Sequence, residues 1–302
     1  MRAFLPAYEL RAPDTLSEVL SMLATTGDRW RPFAGGTDLM VQLESAALPE
    51  GRYLGLWKLV ELRGIRATDD AVEIGALTTY TDILASAPLA REYPLLGHAA
   101  RETGGVATQN RGTIGGNIAN ASPAADTPPA LLVYDAELEL MSVRGSRRVR
   151  YDAFHLGYKK MDIAPDELIV RIRLPGRVAG WRDHYRKVGT RKAQAISKVC
   201  LAGALKPDAA DGSIADVRLA LGSVAPTVVR ARSAEAAIRG HRLAPAVIDA
   251  AVEALAGDIS PIDDIRSTAR YRLSVAQRLL RQWLHHPLPP ALPGTVIKDV
   301  SP

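Results

Sequence analysis

The chain of 302 residues carries 38 Lys plus Arg against 33 Asp plus Glu, a formal net charge of +5, with six His and a single Cys. With 47% hydrophobic and 24% charged residues it has the composition of a globular protein able to bury a sizeable core, and at roughly 100 to 200 residues per domain its length predicts about two domains. The lone Cys200 excludes an internal disulfide, a cysteine-based zinc site and an iron–sulfur cluster held by this chain alone, so a cytoplasmic location is the default; no apolar run reaches the roughly 18 residues of a membrane span, and the start is too short in its apolar part for a signal peptide.

In chain order, Tyr8-Glu9-Leu10 reads as a short strand, and Leu16, Val19, Leu20 and Leu23 form the i, i+3, i+4, i+7 stripe of a helix. Thr15 with Glu18 three residues on makes a capping box, and Gly27 supplies the stop. A second strand over Arg29 to Phe33 runs straight into Ala34-Gly35-Gly36-Thr37-Asp38-Leu39, giving the order strand, helix, strand, glycine loop, helix. Tyr53 to Trp57 and Ala71 to Gly75 read as strands, Tyr80 to Ala85 and Leu95 to Glu102 as helices. Thr103 to Asp126, rich in Gly, Asn, Thr and Ala, reads as a loop, and a loop of that length in a compact domain usually carries function. Leu131 to Tyr134, Glu137 to Val143 and Glu167 to Leu174 complete a mixed pattern that Pro175-Gly176 ends, the best domain boundary. Beyond it Trp181 to Val188, Ile196 to Leu205 and Ser213 to Leu221 read as antiparallel strands with turns at Pro207-Asp208 and Asp211-Gly212. Ser233 to Arg239, Ala244 to Leu255 and Thr268 to His285 read as helices, the last amphipathic through Tyr271, Val275, Leu279 and Trp283, and 287–302 reads as a Pro-rich tail.

No G-x-x-x-x-G-K-S/T, G-x-G-x-x-G, G-x-S-x-G or H-E-x-x-H occurs, so a P-loop, a Rossmann site, a hydrolase elbow and a zincin have no support. The His are scattered, and His285 and His286 point apart on a helix, so no metal site is expected. The spread basic excess and 5% aromatic content offer no platform for nucleic acid. Two loops remain, Ala34 to Asp38 and Gly112-Thr113-Ile114-Gly115-Gly116-Asn117. Paired glycines, free to take positive φ and without a Cβ, let backbone N–H groups turn toward one point and approach a bulky anion. Four charge-assisted N–H bonds at roughly 1.5 to 3 kcal/mol each give on the order of 6 to 12 kcal/mol before costs, enough to hold a dinucleotide. Alone, either pair is equally well a plain turn; two in one domain, each flanked by Thr and by Asp or Asn, favour a phosphate cradle.

AGGTDL (Ala34 to Leu39) and GTIGGNIANASPAAD (Gly112 to Asp126) resemble the FAD-binding subunits of the molybdenum hydroxylases, the xanthine dehydrogenase and carbon monoxide dehydrogenase medium-chain group. The resemblance continues in family order through ELIVRIRLP (Glu167 to Pro175), YRKVGTRKAQAISKV (Tyr185 to Val199), GSVAPTVVRA (Gly222 to Ala231) and RSTARYRLSVAQRLL (Arg266 to Leu280). It implies an α+β fold in which a vanillyl-alcohol-oxidase-type FAD-binding domain over 1–175, with subdomains about 1–57 and 58–175, precedes a small α+β C-terminal domain over 176–286. It also implies that Pro32, Phe33, Ala34, Gly35, Gly36, Thr37, Asp38 and Leu39, with Thr113, Gly115, Gly116 and Asn117, bind the cofactor around its pyrophosphate. Asp126 matches the acidic residue that contacts the nucleotide half of FAD, though it also reads as a cap before Pro128-Pro129. Ile169 matches a residue packed beside the flavin and reads equally as core. Lys187 matches the lysine near the isoalloxazine, where its ammonium would stabilise the anionic reduced flavin as a catalytic group; Arg186, Arg191, Lys192 and Lys198 make a basic cluster around it that faces the site, a partner or water.

No His or Cys lies at either glycine loop, so the resemblance implies non-covalent FAD. Its implied task is electron transfer: a large molybdopterin subunit hydroxylates the substrate, a small subunit with 2Fe-2S clusters passes single electrons, and FAD delivers pairs to an acceptor, the whole assembled as a dimer of heterotrimers. The alternative is a self-contained flavin oxidoreductase of the same fold, for which His184, Tyr185 and Arg191 are the candidate substrate groups beyond residue 176. Neither the hydroxylated substrate nor the acceptor is written in this chain.

Overall fold

One parallel and two antiparallel runs of hydrogen bonding divide this α+β chain into three main sheets. The computed structural model describes residues 8–25, 29–177 and 179–285, so Gly27, His286 and 287–302 lie outside the described residues. The first sheet joins β1 (Tyr8–Arg11), β2 (Trp30–Phe33) and β3 (Gly51–Gly55) in the parallel order β1-β3-β2, with α1 (Leu16–Leu23) and α2 (Leu39–Glu44) as crossovers. At the start of α1 the Thr15 hydroxyl accepts from the Glu18 N–H at 3.2 Å, while the Glu18 carboxylate accepts from Asp14 N–H at 3.3 Å instead of Thr15, half a capping box displaced by one residue. Val19, Leu20 and Leu23 form its buried face, as the periodicity requires.

The second sheet is antiparallel in the order β4-β5-β10-β6-β7. Its strands are β4 (Ile65–Ala67), β5 (Ala71–Gly75), β6 (Glu137–Ser142), β7 (Gly145–Arg150) and β10 (Leu168–Pro175), with the small hairpin β8 (His155–Gly157) and β9 (Lys160–Met161) inserted before β10. Central β10 buries Leu168, Ile169, Val170, Ile172 and Leu174, hence its nearly unbroken apolar sequence. Its register to β6 slips between Ile169 and Arg171, a bulge of the kind that re-aims a side chain beside a site. The helices of this part are α3 (Tyr80–Ala85), α4 (Ala87–Glu92), α5 (Pro94–Glu102), α6 (Val106–Arg111), α7 (Ile114–Ala119) and α8 (Pro128–Val133). Thr103 to Asp126 is therefore not one loop: it holds α6 and α7. Glycine costs about 1 kcal/mol in a helix interior, so Gly115 and Gly116 disguise α7. The signal of its start is Thr113, whose hydroxyl accepts the Gly116 N–H at 3.2 Å.

The third sheet is the antiparallel run β11 (Arg182–Val188), β12 (Val199–Pro207), β13 (Ile214–Gly222) and β14 (Val229–Arg230), followed by α9 (Arg232–Ile238), α10 (Pro245–Asp258) and α11 (Ala269–His285). Side chains alternate across a strand, and β12 exploits this. Ala202 and Ala204 pack into the core that contains Leu131 and Leu132 of α8, whereas Val199, Leu201 and Leu205 pack with Leu279, Leu280 and Trp283 of α11. Small residues on the first face let α8 lie close; large ones on the second fill the space under the helices. The stripe of α11 also differs from the sequence reading: Arg272, Ala276, Leu279, Leu280, Trp283 and Leu284 are buried while Tyr271 is 43% exposed, so the buried face is turned toward the next residue. No helix of the described residues is long and apolar enough to cross a membrane.

Candidate functional site

A cavity of about 910 Å³ opens where the end of β2, the start of α7, the bulged end of β10 and the segment after β11 meet. That volume is in the range that accommodates an extended small-molecule cofactor, roughly 300 to 1,000 Å³. Of the residues expected to bind, Pro32, Ala34 through Leu39, Thr113, Gly115, Gly116, Asn117, Asp126 and Ile169 lie on its wall; Phe33 and Lys187 do not.

The first loop is built to bring backbone forward. Gly36 has φ +77°, and a Cβ there would sit 2.6 Å from the Phe33 ring, which is the role the structure gives Phe33: it backs the loop from behind. A Cβ on Gly35 would lie 1.7 Å from the Arg111 carbonyl oxygen, so the two glycine loops touch, backbone to backbone, at Gly35 and Arg111-Gly112. The carbonyls of Gly36 and Asp38 accept from Met40 and Gln42 to begin α2. The N–H groups of Gly35, Gly36, Thr37 and Asp38, by contrast, have no acceptor among the described residues. A row of unsatisfied donors on a cavity wall calls for an anionic ligand.

The second loop works differently. Ile114 N–H donates to Thr78 O at 3.0 Å, Gly115 N–H to Ala76 O at 2.9 Å and Asn117 N–H to Thr113 O at 2.9 Å, and the Gly116 N–H is held by the Thr113 hydroxyl. The Ile114, Gly115, Gly116 and Asn117 amides are thus taken up inside the chain, and among the described residues the Thr113 N–H is the one amide of Thr113 to Asn117 without an acceptor. Gly115 is needed for closeness, since a Cβ would stand 2.7 Å from the Ala76 Cβ and carbonyl oxygen. What this loop offers is a side chain, because the Asn117 Oδ1 accepts from the Thr127 hydroxyl and its amide NH₂ remains without a partner among the described residues.

Asp126 and Lys187 form a buried pair, Nζ to Oδ2 at 2.7 Å, with side chains 9% and 4% exposed. Lys187 also donates to the Glu102 carbonyl at 2.8 Å. The other Asp126 oxygen accepts from Ser197 Oγ at 2.6 Å, and its main-chain carbonyl from the Tyr185 hydroxyl at 3.0 Å. Burial pushes the Asp126 carboxyl above its usual value, opposed by the Lys187 charge and the Ser197 hydroxyl. Lys187 therefore stands behind the wall, engaged with Asp126, rather than on it as a free charge. The basic cluster around it disperses: Arg186 and Lys192 are exposed, Lys198 lies over the Tyr271 ring at 5.3 Å, and Arg191 alone of them reaches the cavity.

The groups needed by a self-contained enzyme are also committed. His184 is stacked on Trp283 with ring centroids 5.8 Å apart, and burial, with Arg186 and His98 nearby, pulls it down to about 4. The Tyr185 hydroxyl donates to Asp126 and accepts from the Cys200 thiol at 3.1 Å. Wall residues that the sequence reading missed include Gly104, Asn120, Lys159, Glu167 and Gln194. Gly104-Gly105 was a third visible glycine pair, with Gly104 at φ +58°; the others are single polar residues without a motif. The donor set, four free amides, the Asn117 NH₂ and a buried carboxylate beyond them, fits a dinucleotide with a diphosphate, and no wall residue is His or Cys.

The family model of the FAD binding domain in molybdopterin dehydrogenase matches residues 6–177, and that of the CO dehydrogenase flavoprotein C-terminal domain matches residues 184–286. The chain is 34% identical to the glyceraldehyde dehydrogenase medium chain of Sulfolobus acidocaldarius over 91% of this chain and 96% of that one. It is 32% identical to the xanthine dehydrogenase FAD-binding subunit of Escherichia coli O157:H7, over 89% and 91%. Among solved structures, carbon monoxide dehydrogenase from Hydrogenophaga pseudoflava, in a form lacking the Mo-pyranopterin moiety of its molybdenum cofactor, aligns with a TM-score of 0.88 at 30% identity over 92% of this chain and 96% of that one.

Proposed function

We propose, from the premise that this chain belongs to the family of FAD-binding domains of molybdopterin dehydrogenases, that it is the electron-transferring flavin subunit of a molybdenum hydroxylase complex. An FAD-binding subunit of that enzyme group is what the two matched domains make it, and its relatives are oxidoreductase subunits. The finer reading is that it receives electrons from 2Fe-2S clusters of a small partner and passes them to an external acceptor, while a large partner carries molybdopterin. On this reading the complex is a dimer of heterotrimers in the cytoplasm. Relatives named as medium chains, matched nearly end to end, support the division of labour.

FAD, when bound, supplies the capacity to take up single electrons and give them away in pairs. The chain's residues supply the hold and the surroundings. Amides of Gly35 to Asp38 and the Asn117 NH₂ bind the diphosphate; Asp126 keeps a second lone pair on each oxygen for hydroxyls or amines of the nucleotide half; Ile169, 5% exposed at the bulge, covers the wall with apolar surface and excludes water. Lys187 pairs with Asp126 and holds it in place. The observation that carries the proposal is the Gly35 to Arg111 backbone contact, which joins both loops around one row of unpaired donors.

Purification of the full chain with its native partners tests it. The expected result is a flavin spectrum at about one FAD per chain, with a large molybdopterin-containing and a small cysteine-rich protein in the same complex. A folded chain that takes up no FAD overturns the cofactor reading. Turnover of a small organic substrate by the flavinylated chain alone overturns the electron-transfer reading in favour of a self-contained oxidoreductase.

A further inference from the structure

We propose that Lys159, at the tip of the β8–β9 hairpin, is a diphosphate-binding cation that clasps the cofactor against the first glycine loop. This rests on the reading that the cavity takes FAD.

Lys159 lies on the cavity wall and adopts φ +55°, a left-handed conformation that a lysine rarely takes and that persists where its placement is imposed. Its ammonium donates to Asn120 Oδ1 at 2.8 Å and to the Asn120 main-chain carbonyl, at the residue that ends α7. Burial holds this ammonium below the usual lysine value, and the charge of Asp38, at the end of the row of free amides, opposes that shift. The hairpin thus holds its ammonium on the cavity wall beside the end of α7.

Two other ionic groups of the wall have an oppositely charged partner within the protein. Asp126 pairs with Lys187 at 2.7 Å, and Glu167 with Arg147 at 2.7 Å. The Arg191 guanidinium folds onto the carbonyls of Ala193 and Gln194 at 3.0 and 3.1 Å. Asp38 accepts from the Gln42 amide at 2.5 Å. Lys159 has a neutral asparagine as its partner and no carboxylate at ion-pair distance among the described residues. Four amides deliver donors to a diphosphate but no net charge; a dianion brought beside Asp38 needs a full positive charge, and Lys159 is placed to turn from Asn120 to a phosphate oxygen. A lysine–phosphate bond joins two opposite charges, whereas the lysine–amide bond it replaces has a charge on the donor alone.

The test is FAD titration of the full chain, freed of flavin, by fluorescence quenching at about 50 and about 300 mM salt, where screening of a charged contact differs. Lys159→Gln is expected to bind FAD about tenfold more weakly at low salt and to lose part of the wild-type salt dependence, while Lys159→Arg stays within about threefold of wild type. Asn120→Ala, which removes the side-chain half of the resting contact but keeps the cation, is expected to bind as tightly as wild type or more tightly. Unchanged affinity and salt dependence in Lys159→Gln overturns the proposal. So does an equal loss in Lys159→Gln and Asn120→Ala with wild-type salt dependence, which assigns the effect to the hairpin tether. If wild type itself takes up no FAD, the functional reading fails, and this inference with it.

Discussion

Replacing Lys187 by Met leaves the Asp126 carboxylate in a site only 9% exposed with its 2.7 Å ammonium partner gone. Removing one member of a buried pair costs roughly 3 to 5 kcal/mol, because the remaining charge is neither solvated nor answered. Lys187→Met should lower the denaturation free energy by about that amount, whereas Lys187→Met with Asp126→Asn should lose much less than the sum of the single changes. Urea denaturation of the four proteins measures the coupling; additive losses show that the two side chains act independently, and Lys187 returns to being a candidate for a direct part in the flavin chemistry. Gly35 is the sharper residue for binding. Any side chain there meets the Arg111 carbonyl, so Gly35→Ala should separate the loops and weaken FAD binding at least tenfold without a comparable loss of fold, read by flavin fluorescence beside circular dichroism. Wild-type affinity in that variant rules out the loop contact as the basis of the site.

His184 on β11 stacks on Trp283 of α11 and so joins an edge strand to the last helix. Held at about 4 when folded against an ordinary value near 6.5, it stays neutral while the unfolded chain takes up a proton. The unfolded state therefore binds more protons between those two values, and stability falls as pH drops through that window and levels off below about 4. Partial exposure reduces the effect to about 1 to 2 kcal/mol between pH 7 and about 4.5. His98 and His155 are lowered by burial too and add to the slope, so His184→Gln should flatten it in part, as denaturation midpoints across that range will show. An identical slope in the variant removes the stacked ring from the account. At this scale much of the architecture was legible in the sequence: helix α1 announced itself by stripe and cap, and the β11, β12 and β13 meander by its turns. Helix α7 did not, because its glycines lower helix propensity and the Thr113 cap was the single sign. That Ile114 and Gly115 spend their amides inside the chain was not legible either, since that depends on carbonyls of Thr78 and Ala76 in a distant segment. Nor was the burial of Lys187, whose partner lies 61 residues away along the chain.

The two matched domains share one mechanical frame. The face of the third sheet that carries Ala202, Ala204 and Ala220 packs into the same core as α5 and α8, and Arg177 and Asp183, paired at 2.9 Å between the Tyr134 and Trp181 rings, pin the crossing between domains. Tyr185, Lys187 and Ser197, all beyond the crossing, hold Asp126 on the cavity wall of the first domain, and Ile196 and Gln194 add wall of their own. A ligand in the cavity therefore stabilises contacts on both sides. At a free concentration of about 100 times its dissociation constant, binding adds about 2.7 kcal/mol, equivalent to roughly hundredfold slower hydrogen exchange for amides that exchange only through opening of the whole frame. FAD should then protect the amides of β11 and β12 by a factor similar to that of α7, although neither strand supplies a residue to the wall of the cavity. Hydrogen exchange with and without FAD makes the comparison segment by segment. Protection confined to residues 8–177 would mean that the C-terminal sheet is carried along by packing alone, and that the Asp126 network does not couple cofactor binding to the second domain.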